Sequence, residues 1–337
     1  MKKLMYLMLL PLALVACENI IPVDFGEVET KLVLNAQLKA ADGEQVVYLS
    51  ESSLTMLGPV HGADVTVQVD GQAPVKAVES DDLELDRRYA GAYCFQGGFP
   101  AGSKVTVRAS LGSLEVSASS DVMPKPTIIQ VDTLRTAVQD FSYSYVSFQW
   151  KITMKDQPGD NFYRVGVLAE SNIRLVDAQG QTVDVPSVYE LRVSGANDPV
   201  LGGSSSMGTS LFDLEPTYLV FTDEMFRDGE YTLHLSLPAD NLQPFYYAYD
   251  EKFQPVYSIT QTTLIPWLES ITQEEYFYLA ALNNLENFGY EAQMIVEPTT
   301  LPANVEGGLG FVSVLNRTEA APLQLPPVKN DFSSYYE

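Results

Sequence analysis

The run Val146-Ser147-Phe148-Gln149-Trp150-Lys151-Ile152-Thr153-Met154-Lys155 alternates apolar and polar residues without a break. A helix would spread those apolar side chains around its circumference. Only an extended strand gathers Val146, Phe148, Trp150, Ile152 and Met154 on one face, leaving the other wholly polar. The run therefore predicts a strand with one buried and one solvated face. Asp156-Gln157-Pro158-Gly159-Asp160 supplies a turn after it, and Phe162 to Leu168 returns as a partner. Asp228-Gly229 then leads into Tyr231-Thr232-Leu233-His234-Leu235-Ser236-Leu237, a second alternating run.

The same grammar governs the first third. Lys31 to Leu38 starts a strand, Asp42-Gly43 turns it, and Gln45 to Leu49 comes back. Ala63 to Asp70 places Val65, Val67 and Val69 on one face and ends in Asp70-Gly71. Lys104 to Arg108 and Leu114 to Ser117 flank Leu111-Gly112-Ser113. Short strands at this spacing predict an immunoglobulin-like sandwich over 30–123. Pro124 and Pro126 then interrupt any ladder and mark a boundary. Residues 127–320 read as a second β-sandwich-like unit that carries one packed C-terminal helix over 271–288. There Thr272-Gln273-Glu274-Glu275 has the form of a capping box, with Glu275 reaching back to the first amide. Ile271, Tyr278, Leu279, Leu282, Leu285 and Phe288 form its apolar stripe, which should pack on the second sheet, and Gly289 is a natural stop. Leu309 to Val314 reads as a closing strand, and 321–337 as a frayed polar tail. The fold class is mainly β.

The N-terminus carries a different signal. Lys2 and Lys3 precede an apolar run of twelve residues, Leu4 to Val15, and Leu14-Val15-Ala16-Cys17 closes it. Twelve residues are too few to span a hydrocarbon core, which needs about 20. A basic start, a short apolar run and small residues at a cut site describe a signal peptide over 1–16. A cysteine directly after the small residue has the form of a lipobox. Cys17 would then be acylated and become the mature N-terminus, and 17–29 would be a lipidated tether. Acyl chains contribute ~0.8 kcal/mol per buried methylene, so two or three hold a protein on a membrane almost permanently.

The formal charge of −24 becomes −26 once Lys2 and Lys3 are removed. Such a surface repels phosphates, so a nucleic-acid partner is disfavoured. With Cys17 acylated, Cys94 is left without a disulfide partner. Its setting in Tyr93-Cys94-Phe95 suggests a buried strand position rather than a reactive thiol.

Candidate chemistry is sparse. The two histidines, His61 and His234, lie outside any HxxxH or CxxC spacing, so neither a zinc site nor any other cofactor is expected. Gly202-Gly203-Ser204-Ser205-Ser206 has no histidine nearby to activate a serine. Gly307-Gly308-Leu309-Gly310 lacks the βαβ context and lysine of a phosphate loop. Asp81, Asp82, Glu84 and Asp86, and separately Asp223, Glu224 and Asp228, could offer oxygens to calcium, but acidic loops are expected in so negative a chain. Phe245-Tyr246-Tyr247-Ala248-Tyr249 concentrates aromatic residues; Tyr246, Tyr247 and Tyr249 are candidate contacts for a partner or ligand, unless they fill the space between units.

Three segments together resemble one family. Phe25 to Asn35 resembles its opening strand, and Pro59-Val60-His61-Gly62-Ala63-Asp64-Val65-Thr66-Val67 its next block. Ile271 to Leu279, Glu297-Pro298 and Asn304-Val305-Glu306-Gly307-Gly308-Leu309-Gly310 resemble its most recognisable stretch. The family is a Bacteroidota lipoprotein family catalogued as a domain of unknown function (number forty-two forty-nine). The resemblance implies an outer-membrane lipoprotein, often encoded beside a TonB-dependent receptor, with no catalytic residues to carry over. It also implies that Glu297-Pro298 and Gly307-Gly308 shape a turn. Directly after Cys17 only Glu18 is acidic, followed by Asn19-Ile20-Ile21, which leaves open the surface and the periplasmic leaflet.

The expected function is therefore that of a non-enzymatic binding or accessory subunit, anchored in the cell envelope through acyl chains and working with a TonB-dependent receptor. A glycan- or peptide-degrading enzyme with an acidic pair, and an adhesive β-sandwich, are the alternatives.

Overall fold

Apolar faces of strands set the architecture. The computed structural model describes residues 29–52, 57–80, 90–139, 144–176, 182–202, 216–238, 257–292 and 301–325. Among them the chain is mainly β, with two helices. The first unit contains β1 (Leu32–Lys39), β2 (Gly43–Ser52), β3 (Leu57–Pro59), β4 (Asp64–Val69), β5 (Val75–Glu79), β6 (Gly91–Gly97), β7 (Lys104–Leu111) and β8 (Leu114–Asp121). Alternate residues of these strands, such as Leu34, Leu49, Val65, Val67, Val105 and Val107, turn inward to one core. That is the mainly β unit with one inward face that the alternation predicts.

The second unit contains β9 (Thr127–Gln139), β10 (Ser144–Lys155), β11 (Phe162–Val176), β12 (Thr182–Leu191), the one-turn α1 (Pro199–Gly202), β13 (Leu219–Thr222), β14 (Glu230–Pro238), β15 (Tyr257–Ile271) and α2 (Gln273–Ala292). Four strands follow: β16 (Val305–Glu306), β17 (Leu309–Leu315), β18 (Arg317–Glu319) and β19 (Leu323–Leu325). A three-stranded sheet, β14-β10-β9, faces a six-stranded one, β12-β11-β15-β18, in which β13 pairs with β11 and β19 with β15. Trp150, Ile152 and Met154 of β10 are fully buried, and they meet Leu233, Leu235, Tyr163, Val165, Val167 and Leu264 in the second core.

Two sequence expectations are corrected here. Leu309–Leu315 does not close the second unit. It pairs parallel with β1, from Val33 opposite Leu309 to Lys39 opposite Leu315. The short β16 pairs with β8 at the other end of the same sheet, whose order is β16-β8-β7-β4-β5-β6-β2-β1-β17. Because only Gly307 and Gly308 separate β16 from β17, the sheet nearly closes on itself. Gly307 turns there with φ +77°, a region that glycine enters without penalty. The turn implied by the family resemblance is thus present at Gly307-Gly308, while Glu297-Pro298 lies outside the described residues. Parallel neighbours need a long crossover, and here the whole second unit serves as one. The clue in the sequence is that Phe311-Val312-Ser313-Val314 is buried on both faces, as interior parallel strands are. The second correction concerns the tail: Leu323–Leu325 pairs with β15, and Leu325 joins the second core.

β17 is consequently shared. Val312 and Val314 enter the first core, whereas Tyr278 of α2 stacks on Phe311. The helix begins as predicted, with the Thr272 hydroxyl accepting the Glu275 amide at 3.1 Å. It continues through Gly289 to Ala292; glycine inside a helix costs only about 1 kcal/mol and does not by itself end one. Of its stripe, Leu279 is buried with Ile271 and Val220, and Tyr278 and Leu282 pack beside them.

Candidate functional site

Two places gather polar chemistry. The first lies on the solvated face of the three-stranded sheet. Register puts Lys151 opposite His234 and Gln149 opposite Ser236, and these four, with Asn197, Trp150 and Leu235, line a shallow pocket of about 120 Å³. Beneath it lies Asp198, buried, at the start of α1. Its carboxylate accepts the amides of Val200 (2.9 Å) and His234 (2.8 Å) and the Tyr231 hydroxyl (3.1 Å). An aspartate ahead of Pro199 is a natural helix cap, with proline at the first helical position. The same carboxylate lies 3.4 Å from His234 Nδ1, and burial, with Asp198 beside it, pushes the Tyr231 phenol to about 12. The pocket thus offers a cation, an imidazole, two amides and a hydroxyl to one small polar group. Sequence reasoning placed His234 on the polar face of its strand but missed Asp198; the Asn197-Asp198-Pro199 cap was the available signal.

The second place is the outer face of the six-stranded sheet, where α2 and β17 cover it. Alternation sends Tyr163, Val165 and Val167 of β11 to the second core and turns Arg164 the other way. Likewise Leu264 and Leu268 of β15 face the core, while Trp267, Glu269 and Ile271 face α2. The Trp267 ring fits because position 166 is glycine: a Cβ there would run into the indole. Arg317 of β18 covers the indole at 3.6 Å, and Arg164 lies 5.0 Å from the ring centre. Both guanidiniums then reach Glu269, Arg317 Nε at 2.8 Å and Arg164 at 3.8 Å, and Arg164 also holds Glu190 at 2.6 Å. Glu269 has no exposure at all. Burial pushes its carboxyl up, against the pull of both guanidiniums.

Glu275 completes this cluster and corrects an expectation. Its amide donates to the Thr272 cap, but its side chain turns to Ser313 and does not reach back as in a capping box. It is buried at 3% exposure, sharing a hydrogen bond with Ser313 of β17. Burial, with Glu269 nearby, pushes the carboxyl to about 8. Sequence reasoning missed Arg164, Glu269 and Arg317. The signal was a single charge within each of the apolar runs Tyr163-Arg164-Val165 and Leu264 to Ile271, which a buried strand tolerates only when the charge is paired.

The remaining candidates are placed as follows. Cys17, Tyr246, Tyr247, Tyr249, the Asp81–Asp86 acids and Gly203 to Ser206 lie outside the described residues. Cys94 is half-buried rather than enclosed, because the side chains of Tyr93 and Phe95 take the inner face of β6. His61 Nδ1 meets Glu79 at 2.6 Å, and Glu79 also takes the Gly62 amide, so the loop is tied to β5 and the Glu79 carboxyl is held below its ordinary value. Asp223 is committed to the Asn161 amide at 3.0 Å, and Asp156 to the Tyr163 hydroxyl at 2.7 Å and the Asp228 amide at 2.8 Å. These carboxylates lock turns. Among the described residues no three acidic, imidazole or thiol groups converge as a metal would require, and no helix is long and apolar enough to cross a membrane.

No curated protein matches the chain significantly. Among solved structures, a crystal structure of a DUF4785 family protein from Legionella pneumophila aligns over 70% of this chain and 52% of that one, at 8% identity and a TM-score of 0.21. The chain therefore spans about half the length of that protein. The sequence pattern of one family, described as Domain of unknown function (DUF4249), matches residues 18–321, and the chain belongs to that family.

Proposed function

We propose that this protein is an outer-membrane-anchored lipoprotein of a Bacteroidota cell envelope, acting as a non-catalytic binding or accessory subunit of a TonB-dependent nutrient transporter. The observation that carries this reading is a coincidence of boundaries. The family match begins at residue 18, immediately behind Leu14-Val15-Ala16-Cys17, where a lipobox would place the cut. The matched body would then be the mature protein, with the acylated cysteine as its first residue. From Cys17 to Leu32 the chain reaches at most roughly 50 Å when fully extended, enough for the sandwiches to lie against a transporter in the same membrane. The acidic surface keeps the body off anionic headgroups, so the acyl chains supply the attachment.

The test has two arms. Metabolic labelling with a fatty-acid analogue should mark the wild type and not Cys17→Ala. An affinity pull-down of the acylated protein from its own outer membrane, followed by mass spectrometry, should recover a TonB-dependent barrel in stoichiometric amount. Labelling without such a barrel would keep the anchor and discard the transporter role. No labelling would discard the anchor as well.

A further inference from the structure

The cluster beneath α2 contains three carboxyls, on Glu190, Glu269 and Glu275, but two guanidiniums, on Arg164 and Arg317. Each guanidinium contact is spent on Glu190 or Glu269. Among the described residues no ion pair reaches Glu275, although it is nearly as enclosed as Glu269 and far more so than Glu190, whose side chain is 36% exposed. A buried anion without a counter-charge is costly enough that such a group keeps its proton instead. Enclosure without an ion pair therefore assigns a proton to Glu275. Its position makes that proton consequential. Glu275 sits in the first turn of α2, in the second unit, and its hydrogen-bond partner Ser313 sits on β17, in the first sheet.

We propose that Glu275 is a proton-controlled latch between the two units: as the neutral acid it seals the start of α2 onto β17, and as the anion it loosens that seal. Burial and then Glu269 act in this sense, whereas Arg164 and the Ser313 hydroxyl favour the anion and are outweighed. Glu269, from β15, repels the anion. Arg164, from β11, attracts it, but is held by Glu190 of β12 and by Glu269. Arg317, from β18, is engaged with Glu269 and the Trp267 ring. β17 presents only the Ser313 hydroxyl, and the neighbouring Tyr276 and Tyr278 on α2 are themselves held neutral by burial. Losing the proton thus leaves a buried anion beside Glu269 with no ion pair of its own. The carboxyl, raised to about 8, titrates where a modest alkaline change releases the latch. The cost falls on the one surface where α2 and β17 meet.

Hydrogen exchange of the whole mature protein, corrected for intrinsic rates, tests this between about pH 6 and about pH 9.5. Protection of peptides covering 271–285 and 309–315 should fall on the order of tenfold in the wild type, while strands β4 and β7 of the first sheet hold steady. Glu275→Gln, which keeps the shape and the hydrogen bond without the charge, should retain protection in both segments. Equal loss in the variant, or no loss in the wild type, overturns the proposal. Infrared difference spectroscopy gives a second readout that does not need the variant to fold well. A protonated-carboxyl band should be present in the wild type at about pH 6 and vanish by about pH 9.5, and its absence at the lower pH overturns the proposal.

Discussion

Tyr278 lies nearly flat on Phe311, with ring centroids 4.3 Å apart and planes 12° from parallel. One ring belongs to the helix of the second unit and the other to a strand of the first sheet. The contact therefore measures directly how firmly the units are joined. Phe311→Ala should cost about 3–5 kcal/mol, the usual range for emptying a buried aromatic site. A double-mutant cycle with Tyr278→Ala, read by urea unfolding, should return a coupling of about 0.5–1.5 kcal/mol beyond burial. A coupling near zero would mean that the rings are adjacent without supporting each other.

The pairing of β1 with β17 predicts the behaviour of a fragment. A chain covering 29–123 keeps β1 to β8 but exposes the β1 edge that β17 covers in the intact protein. Exposed edges of this kind recruit other chains. The fragment should associate or melt well below the intact protein, and a synthetic peptide spanning 304–316 added in trans should raise its melting temperature. A fragment that is monomeric and indifferent to the peptide would show that the first eight strands suffice alone.

Arg317 is the residue at which charge and shape can be separated. Arg317→Lys keeps a cation near Glu269 but loses the planar group lying 3.6 Å over Trp267 and the Nε bond of 2.8 Å. It should destabilise by about 1–2 kcal/mol, in the range of a desolvated cation–π contact. Glu269→Ala should cost more, about 3–5 kcal/mol, because it removes the ion-pair partner of Arg317 and leaves the buried Arg164 with Glu190 alone. Chemical denaturation of both variants orders the two effects, and the reverse order would locate the stability in the stacking rather than in the ion pairs.

The Glu275 carboxyl also fixes the sign of a pH effect on stability. In the unfolded chain it loses its proton near its ordinary value of 4.5, whereas in the fold it keeps it to about 8. Between those values the folded state binds the extra proton, so stability falls as pH rises. The contribution is complete below the lower value and gone above the higher one, with a slope of at most ~1.4 kcal/mol per pH unit between. Subtracting the unfolding free energy of Glu275→Gln from that of the wild type across pH 4 to 9 cancels most other groups. The difference should decline through that window and then level; a flat difference would place Glu275 in an ordinary environment.

Much of the strand pattern was legible in the sequence because period-two alternation is local. Val65, Val67, Trp150, Ile152 and Leu235 announce their burial through their neighbours alone. The placement of Leu309–Leu315 was not legible. Whether a strand apolar on both faces joins the nearer or the farther sheet depends on Phe311 and Asn35, separated by 276 positions yet bonded at 3.0 Å. Glu275 shows the opposite difficulty. Its spacing from Thr272 satisfies a strong local rule, and the rule is half obeyed, by the amide. Tertiary burial claimed the side chain for Ser313. Asp198 and Glu269 each carried a local signal, a cap before Pro199 and a lone charge in an apolar run, but both signals are faint beside the many other acids of a chain of charge −24.

The neighbours of β1 have a mechanical meaning. A pull on the N-terminal end of the described residues would load Lys31 and then Leu32, and β1 is gripped on one side by β2 running antiparallel and on the other by β17 running parallel. Tension along that strand loads both rows of hydrogen bonds together, in shear, instead of peeling them open one at a time. A body dragged by flow or by a moving partner would resist at its first strand, and the segment that completes this grip, Leu309–Leu315, leaves the ribosome only after β9 to β15 and α2.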